Sequence, residues 1–515
     1  MKNIYITTPI YYVNDVPHVG HVYTTLICDI IARFMRLDGC NVKFVTGTDE
    51  HGQKIEKAAR ARNMSLVHFT DNTSAVFKQL ADVMNYSYDD FIRTTEVRHQ
   101  RAVIALWQRL CDNGAIYLGS YSGWYAVRDE TFYQEKELID GKAPTGAEVE
   151  WIEEPSYFFQ LSDFQERLLS FYAENPDFVT PRYRYNEVIS FVKSGLKDLS
   201  ISRQNVLWGI KVPNDDKHVI YVWVDALTNY LTVLGFPDIN HKDYQAYWAG
   251  DNSFVLQVIG KDILRFHAVY WPAILMAAGL PLPKKILTHG WWTNEGQKIS
   301  KSLGNVIKPF DLVEEFGVDQ LRYFLIKEMP IGNDGDFKRS SLINCINYDL
   351  ANNIGNLVQR TISLLYKECG GVVPTVSDDL LRDEEVLPNY QDILGRVRDC
   401  VMHYNLNGMI HIIEQLSSTA NEYITVRAPW KLSKSDPRVM KAVLYKLLEY
   451  IKCIGLLLQP IMPKLSSKIL DQIGLPECNR DFSKFSIPVG VNTTLPKPEP
   501  IFVKDCVGYI YIYTC

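Results

Sequence analysis

Ile4-Tyr5-Ile6-Thr7-Thr8 is a short β-branched run, and Pro17-His18-Val19-Gly20-His21 leads from it into the helical pattern of Val22 to Arg36. The order reads as strand, turn and helix, with His18 and His21 three residues apart near a helix N-terminus. Such a terminus offers unpaired N–H donors and a partial positive charge to a phosphate. Gly20 removes the Cβ that would hold an adenine or ribose away. A four-residue match of this kind, taken alone, is explained equally well by structure, so the rest of the chain has to decide.

Working outward, β-branched runs followed by helical patterns recur at Val42 to Thr46, Phe254 to Ile259 and Ile286 to His289. That alternation predicts a parallel sheet flanked by helices. Between the two halves, from about Asn113 to His218, the text is rich in Gly, Tyr and Glu, with short strand-like pieces at Trp124 to Val127 and Phe132 to Tyr133. This is an expected insertion. From about Asn344 the pattern changes to amphipathic helices such as Ile346 to Tyr366 and Val439 to Leu458. The predicted fold is α/β, a Rossmann-type parallel sheet split by an inserted connective domain and followed by a C-terminal α-helical bundle. Its expected parts are residues 1–113, the insertion 114–220, the second half of the sheet domain 221–343, the bundle 344–485 and a tail 486–515. The tail, with Pro496, Pro498 and Pro500 and then Lys504 to Cys515, suggests no function.

The bulk numbers agree with a soluble chain of several domains. At 515 residues, with 47% hydrophobic, 22% charged and 12% aromatic residues, the composition excludes disordered and collagenous classes. A net charge of −6 argues against a nonspecific nucleic-acid coat, although a local basic face remains compatible with RNA. Met1 to Asp15 lacks a basic segment followed by an apolar run, and Ala268 to Pro283 is interrupted by Pro272 and Pro281, which favours a buried helix over a membrane span. A cytoplasmic location is expected. Ten scattered cysteines without a Cys-x-x-Cys pair fit reduced thiols.

The second phosphate element is Lys298-Ile299-Ser300-Lys301-Ser302, flanked by Gly296 and Gly304 and lying past the strand-like Ile286 to His289. Two lysines on a glycine-flanked loop can close over a triphosphate and neutralise the departing pyrophosphate. A solvated lysine loop is the plain alternative for this stretch alone. Both motifs, in order and separated by an insertion, resemble the two signatures of class I aminoacyl-tRNA synthetases.

Four further stretches narrow the likeness. Thr8-Pro9-Ile10-Tyr11-Tyr12-Val13-Asn14, Gly47-Thr48-Asp49-Glu50-His51-Gly52, Tyr221-Val222-Trp223-Val224-Asp225-Ala226 and Ile259-Gly260-Lys261-Asp262-Ile263 resemble methionyl-tRNA synthetase, over Met1 to about Phe502. The resemblance implies that Ile10, Tyr12, Trp223, Ala226, Leu227, Tyr230, Ile263 and His267 enclose a methionine side chain and that Asp49 receives its ammonium. It also implies that His18, Gly20, His21, Gly260, Asp262, Lys298, Ser300, Lys301 and Ser302 bind ATP, with His18, His21, Lys298 and Lys301 as the catalytic groups. Asn356, Arg360 and Trp430 then read the anticodon. The implied partners are L-methionine, ATP with Mg2+ and tRNA(Met) including the initiator, with no membrane and a monomeric chain.

These residue types suit those roles. Trp223, Ala226, Leu227 and Tyr230 recur at helical spacing, as do Ile263, His267 and Trp271, so each set can present one face. Aromatic walls suit a thioether, with sulfur–aromatic contact contributing up to about 1.5 kcal/mol. Core packing explains Ile10, Ile263 and Trp271 singly just as well, and an aspartate such as Asp49 between glycines is also common in turns. An unpaired base is read by edge hydrogen bonds and by stacking, which Asn356, Arg360 and Trp430 supply.

The insertion departs from the zinc-knuckle pattern of many relatives. Ala126-Val127-Arg128-Asp129 and Ala143-Pro144-Thr145-Gly146 stand where metal ligands would be, and these residues cannot close a tetrahedral site. A zinc-free knuckle packed by Trp124, Tyr125, Phe132 and Tyr133 is expected. Two other readings stay open. A synthetase for leucine, isoleucine or valine would share both signatures, though the insertion is short for a hydrolytic editing domain. A catalytically silent tRNA-binding scaffold would have no need of the histidines and lysines.

Overall fold

Strand β1 (Asn3–Thr7) is buried almost end to end, as expected for a strand covered on both faces. In the computed structural model, which describes residues 2–501 except 129–130, 134, 205, 300–304 and 382–387, it lies at the centre of a seven-stranded sheet. The other early strands of this sheet are β2 (Tyr11–Tyr12), β3 (Asn41–Asp49) and β4 (Asp90–Arg93), of which β3 lies beside β1. The long antiparallel hairpin of the insertion follows, with β5 (Ile116–Ala126), β6 (Thr131–Tyr133) and β7 (Glu150–Phe159). The next strand, β8 (Val179–Thr180), belongs to the central sheet although it lies inside the stretch read as insertion. Short strands β9 (Leu199–Ser200), β10 (Ser202–Arg203), β11 (Lys211–Val212) and β12 (Asp215–Ile220) complete the middle of the chain. Strands β13 (Ser253–Gly260) and β14 (Lys285–His289) close the sheet in the order β2-β3-β1-β13-β14-β8, with β4 beside β3. The pairings of β1 with β13, β13 with β14, β14 with β8, and β3 with β2 and β4 are parallel, with Tyr5 opposite Val255 and Gln257 opposite Ile286.

By compactness the chain divides into two units. The first comprises residues 2–17 and 42–289. Its core joins Tyr5, Val255, Ile259 and Ile286 of the sheet to Phe159, Leu168, Tyr172 and Val188, so the later part of the insertion shares the sheet's apolar core. Its helices include α2 (Gln53–Ala61), α3 (Leu66–Val83), α4 (Val97–Asp112), α5 (Gln165–Glu174), α6 (Arg182–Lys193) and α7 (Val222–Thr232), counted after α1 (Val19–Leu37).

The second unit comprises residues 18–41 and everything from Gly290 onward. It holds α1, a three-stranded sheet of Trp292–Asn294, Gln297–Lys298 and Gly335–Phe337, and the expected helices. The pattern read over Ile346 to Tyr366 is one continuous run from Arg339 to Cys369, wound with i→i+5 bonds over Cys345–Gly355. That over Val439 to Leu458 is the helix Pro437–Leu458, in which every residue from Ala442 to Leu458 is buried. Two of its buried charges, Glu449 and Lys452, pair with each other, as burial favours. Glu449 lies 2.7 Å from Lys452 and accepts from the Tyr390 hydroxyl at 2.6 Å, while Lys452 donates to the Ile487 carbonyl. Among the described residues no helix is long and apolar enough to cross a membrane.

Candidate active site

Asp49 ends strand β3 and Tyr12 ends β2, and the parallel register sets the two directly opposite. This is the carboxyl end of a parallel sheet, where loops converge on ligands. The run Gly47 to Gly52 can be followed residue by residue. A Cβ on Gly47 would come within 2.0 Å of the Ile92 carbonyl oxygen, so only glycine fits between β3 and β4. Thr48 donates to Glu50, whose carboxylate also takes the Arg93 guanidinium at 2.7 and 3.0 Å and the Thr95 hydroxyl at 2.6 Å. His51 Nδ1 lies 2.6 Å from Asp225, and Gly52 turns the chain at φ 108° before α2. The loop beside Asp49 is thus held by bonds within the same unit, and Asp49 itself is 7% exposed.

The residues expected to enclose the side chain all fall in the same unit. Ala226, Leu227, Tyr230 and His267 are buried, and Ile10, Trp223 and Ile263 pack against the core cluster that contains Leu227, Tyr230 and Trp271. Tyr230 and His267 meet at 2.7 Å between hydroxyl and Nε2, and His267 Nδ1 lies 3.0 Å from the Ile263 carbonyl. Since a carbonyl only accepts, Nδ1 carries the proton and Nε2 accepts from the tyrosine. Burial pushes the imidazole down to about 4, so it is neutral at pH 7 and the pocket wall carries no charge there. The segment Phe266–Tyr270 winds with i→i+5 bonds, so the even four-residue spacing of Ile263, His267 and Trp271 is not that of a regular α-helix. Tyr12 packs in a neighbouring cluster and lies under Lys54, whose ammonium is 5.3 Å from the ring. Gly260 ends β13, and a Cβ there would lie 2.6 Å from Asp262 Oδ1.

In the second unit His18 is the N-cap of α1, and the two imidazoles cap each other's backbone. His18 Nδ1 accepts from the Gly20 N–H and His21 Nδ1 from the His18 N–H, both at 3.1 Å, with the rings stacked at 3.8 Å. With both Nδ1 atoms accepting, both Nε2 atoms carry protons and donate. Burial and the neighbouring His18 hold His21 well below the usual histidine range, so it acts as a neutral donor rather than a cation. At Gly20 a Cβ would sit 2.9 Å from the His18 ring. Lys298 ends a two-residue strand paired with Thr293 across the turn Glu295-Gly296, both at positive φ. Ser300, Lys301, Ser302 and Gly304 lie outside the described residues.

The comparisons with known proteins decide the family. The profile described as "tRNA synthetases class I (M)" matches residues 4–150 and 136–362, and that for the "anticodon binding domain of methionyl tRNA ligase" matches 382–504. The methionine–tRNA ligase of Rickettsia bellii is 56% identical over 97% of this chain and 98% of its own, and that of Brucella suis 47% identical over 98% of each. The solved Mycobacterium tuberculosis methionyl-tRNA synthetase in complex with methionyl-adenylate aligns with TM-score 0.94 at 45% identity, over 98% of this chain and 100% of that one. The chain belongs to the methionyl-tRNA synthetase family.

The three residues expected from sequence to read the anticodon fall in the second unit. Asn356 is exposed on the first turn of the helix Asn356–Cys369, with Arg360 one turn on. The Arg360 guanidinium stands 5.5 Å from the Trp430 ring centroid, and Trp430 is 40% exposed. Ala428 closes the preceding helix at φ 43°, a left-handed conformation costly for a residue with a Cβ, and Pro429 then starts the short helix bearing Trp430. Ala428 alone separates the two helices.

In the insertion of this family member, Ala126, Ala143 and Ala147 form a small core with Tyr133 and Val149 against it. Trp124 stacks edge-on against Trp151 at 5.4 Å, and Tyr125 pairs in register with Phe132. Asp129 lies outside the described residues. Among the described residues no group of three or more His, Cys, Asp or Glu could hold a metal.

Sequence reading missed four members of the site region. Phe266 stacks face to face on Trp223 at 3.5 Å. Arg203, read as part of the insertion, is buried beside His51, Trp208 and Tyr221, with its guanidinium 4.4 Å from the Tyr221 ring. Asp225 and His99 are buried and joined at 2.8 Å. A single charged residue on the helix Val222–Thr232 was the available signal for the last pair, because a buried carboxylate demands partners.

Proposed function

We propose that this synthetase binds methionine with its side chain among Ile10, Tyr12, Trp223, Ala226, Leu227, Tyr230, Ile263 and His267 and its ammonium on Asp49. The observation that carries the assignment is the buried Tyr230–His267 pair, with the imidazole neutral, in an aromatic and aliphatic wall within the unit whose sheet edge ends in Asp49. An uncharged wall of this kind suits a thioether, and a carboxylate suits an ammonium. The reaction of the family joins methionine to tRNA at the expense of ATP. The methionine carboxylate attacks the α-phosphate, methionyl-adenylate forms as pyrophosphate leaves, and a hydroxyl of the terminal ribose of tRNA(Met), initiator included, then attacks the methionyl carbonyl and releases AMP.

His18 and His21 donate from Nε2 to phosphate oxygens, and the N-terminus of α1 adds its dipole. Gly20, Gly260, Asp262, Ser300 and Ser302 complete the nucleotide site, and Lys298 and Lys301 neutralise the departing pyrophosphate. Magnesium, when bound, is carried by the phosphates and neutralises their charge. Asn356, Arg360 and Trp430 read the anticodon. The alanine core of the knuckle offers no zinc donors, and metal analysis of tag-free protein is expected to find zinc far below one atom per chain. The chain acts as a monomer in the cytoplasm, divided into sheet domain, insertion, bundle and tail at about the bounds read from sequence, except that Val179–Thr180 within the insertion belongs to the central sheet.

The test is exchange of labelled pyrophosphate into ATP. Methionine should support it and leucine should not. Exchange driven by leucine, isoleucine or valine would replace the reading of the pocket, and exchange with none of them would favour a silent scaffold.

A further inference from the structure

We propose that Asp225 is a positioning residue which, by holding His51 and His99 on its two carboxylate oxygens, fixes the loop bearing Asp49 against the helix bearing Trp223, Ala226, Leu227 and Tyr230. This deepens the reading of the methionine site given above and rests on it. His51 Nδ1 lies 2.6 Å from one oxygen and His99 Nε2 2.8 Å from the other. All three side chains are buried, at 1%, 6% and 0% exposure for Asp225, His51 and His99.

The geometry of α7 explains why the contact matters. At about 100° per residue, Trp223, Ala226, Leu227 and Tyr230 share one face, and Asp225, Thr228 and Thr232 share the opposite one. α4 packs on α7, and its His99 joins Asp225 through Nε2 and Thr232 through Nδ1, at 3.0 Å. His51 comes from the other direction, two residues past Asp49. The carboxylate therefore links three segments, α4, α7 and the end of β3, at a point behind the face assigned to the methionine side chain. A shift of α7 at this point changes the separation between that face and Asp49.

The carboxylate is held charged. Burial pushes its pKa up, but the charge and hydrogen bonds of His51, and then of His99, hold it at about 2. An amide in its place keeps the shape and accepts one ring N–H through oxygen, but turns its NH2 toward the other ring, donor against donor. None of these groups is needed to touch the reacting atoms.

Asp225→Asn is measured in pyrophosphate exchange, with KM for methionine and for ATP taken separately on protein whose circular dichroism and melting curve match the parent. The methionine KM should rise about tenfold while that for ATP stays within about twofold. General softening would instead move both. His51→Asn and His51→Ala supply rescue, because the asparagine amide N–H occupies the place of Nδ1–H and can still donate to Asp225. His51→Asn should stay near the parent and His51→Ala should follow Asp225→Asn. A folded Asp225→Asn with unchanged methionine KM, equal rises for both substrates, or equal effects of the two His51 variants would overturn the proposal. The His51 pair decides alone if Asp225→Asn does not fold. Asp49→Asn separates the two claims: if it leaves the methionine KM unchanged the underlying assignment of Asp49 fails, and if it raises that KM while Asp225→Asn does not, only the positioning role fails.

Discussion

Trp430→Ala should separate the two half-reactions. The indole is 40% exposed and covered on one side by Arg360, 5.5 Å from its centroid. Truncation of a fully buried tryptophan costs about 3–5 kcal/mol, and a side chain this exposed should cost about 1–2 kcal/mol of stability, leaving the fold intact at 25 °C. Stacking of one unpaired base is worth about 1–3 kcal/mol, which converts to a loss of roughly five- to 150-fold in kcat/KM for tRNA. The cation over the ring adds about 0.5–1 kcal/mol when it loses its platform. Pyrophosphate exchange without tRNA should stay within about twofold of the parent. Steady-state charging of a tRNA(Met) transcript is the assay, run beside exchange on the same preparations. A second transcript with a replaced anticodon makes a double-mutant cycle, because the parent loses its readout there and Trp430→Ala should add little further. Equal losses in charging and exchange, or the same loss on both transcripts, would refute the stacking argument.

Two other outcomes follow from buried groups. His267 has its pKa lowered from 6.5 to about 4 in the folded chain, so between these values the unfolded chain binds a proton that the folded one refuses. Stability is therefore full above pH 6.5 and falls as the pH drops toward 4, by about 2 kcal/mol at pH 5. The stability advantage of the parent over His267→Gln, from urea titrations, should shrink by that amount between pH 7.5 and pH 5, and a constant difference would count against the neutral imidazole. Asp29 and Arg322 form a fully buried pair at 2.6 Å, with Arg322 also donating to the Ile461 and Pro460 carbonyls. Asp29 keeps Arg33 at 2.8 Å when Arg322 is removed, so Arg322→Met should cost about 3 kcal/mol, and Asp29→Asn combined with it less than the sum of the two, since the carboxylate left with one partner in place of two is then neutral.

The helix capped by His18 was legible because its signals are local: Pro17 just before it and an apolar helical period from Val22 onward. The parallel sheet was legible for the same kind of reason, since strands buried on both faces read as continuous apolar runs, as Ile4 to Thr8 and Ile286 to His289 do. The helical third was also visible, but not the i→i+5 winding at Cys345–Gly355 and Phe266–Tyr270. Such winding depends on what packs beside the helix and carries no composition of its own. The return of Val179–Thr180 to the central sheet escaped notice because two residues give no period.

The sequence by itself determined the chemistry on offer: two histidines at a helix start, lysines on a glycine-flanked stretch, an aspartate at a strand end and aromatic residues at helical spacing. Each is fixed by neighbours within a few positions, so local rules suffice. Only the tertiary structure decided which proton sits where and who partners whom. His21 and His267 are neutral because they are buried, and Asp225 is charged because His51 and His99, distant in sequence, reach it. Protonation follows from solvent exclusion and from contacts between remote segments, and no periodicity in the chain records either.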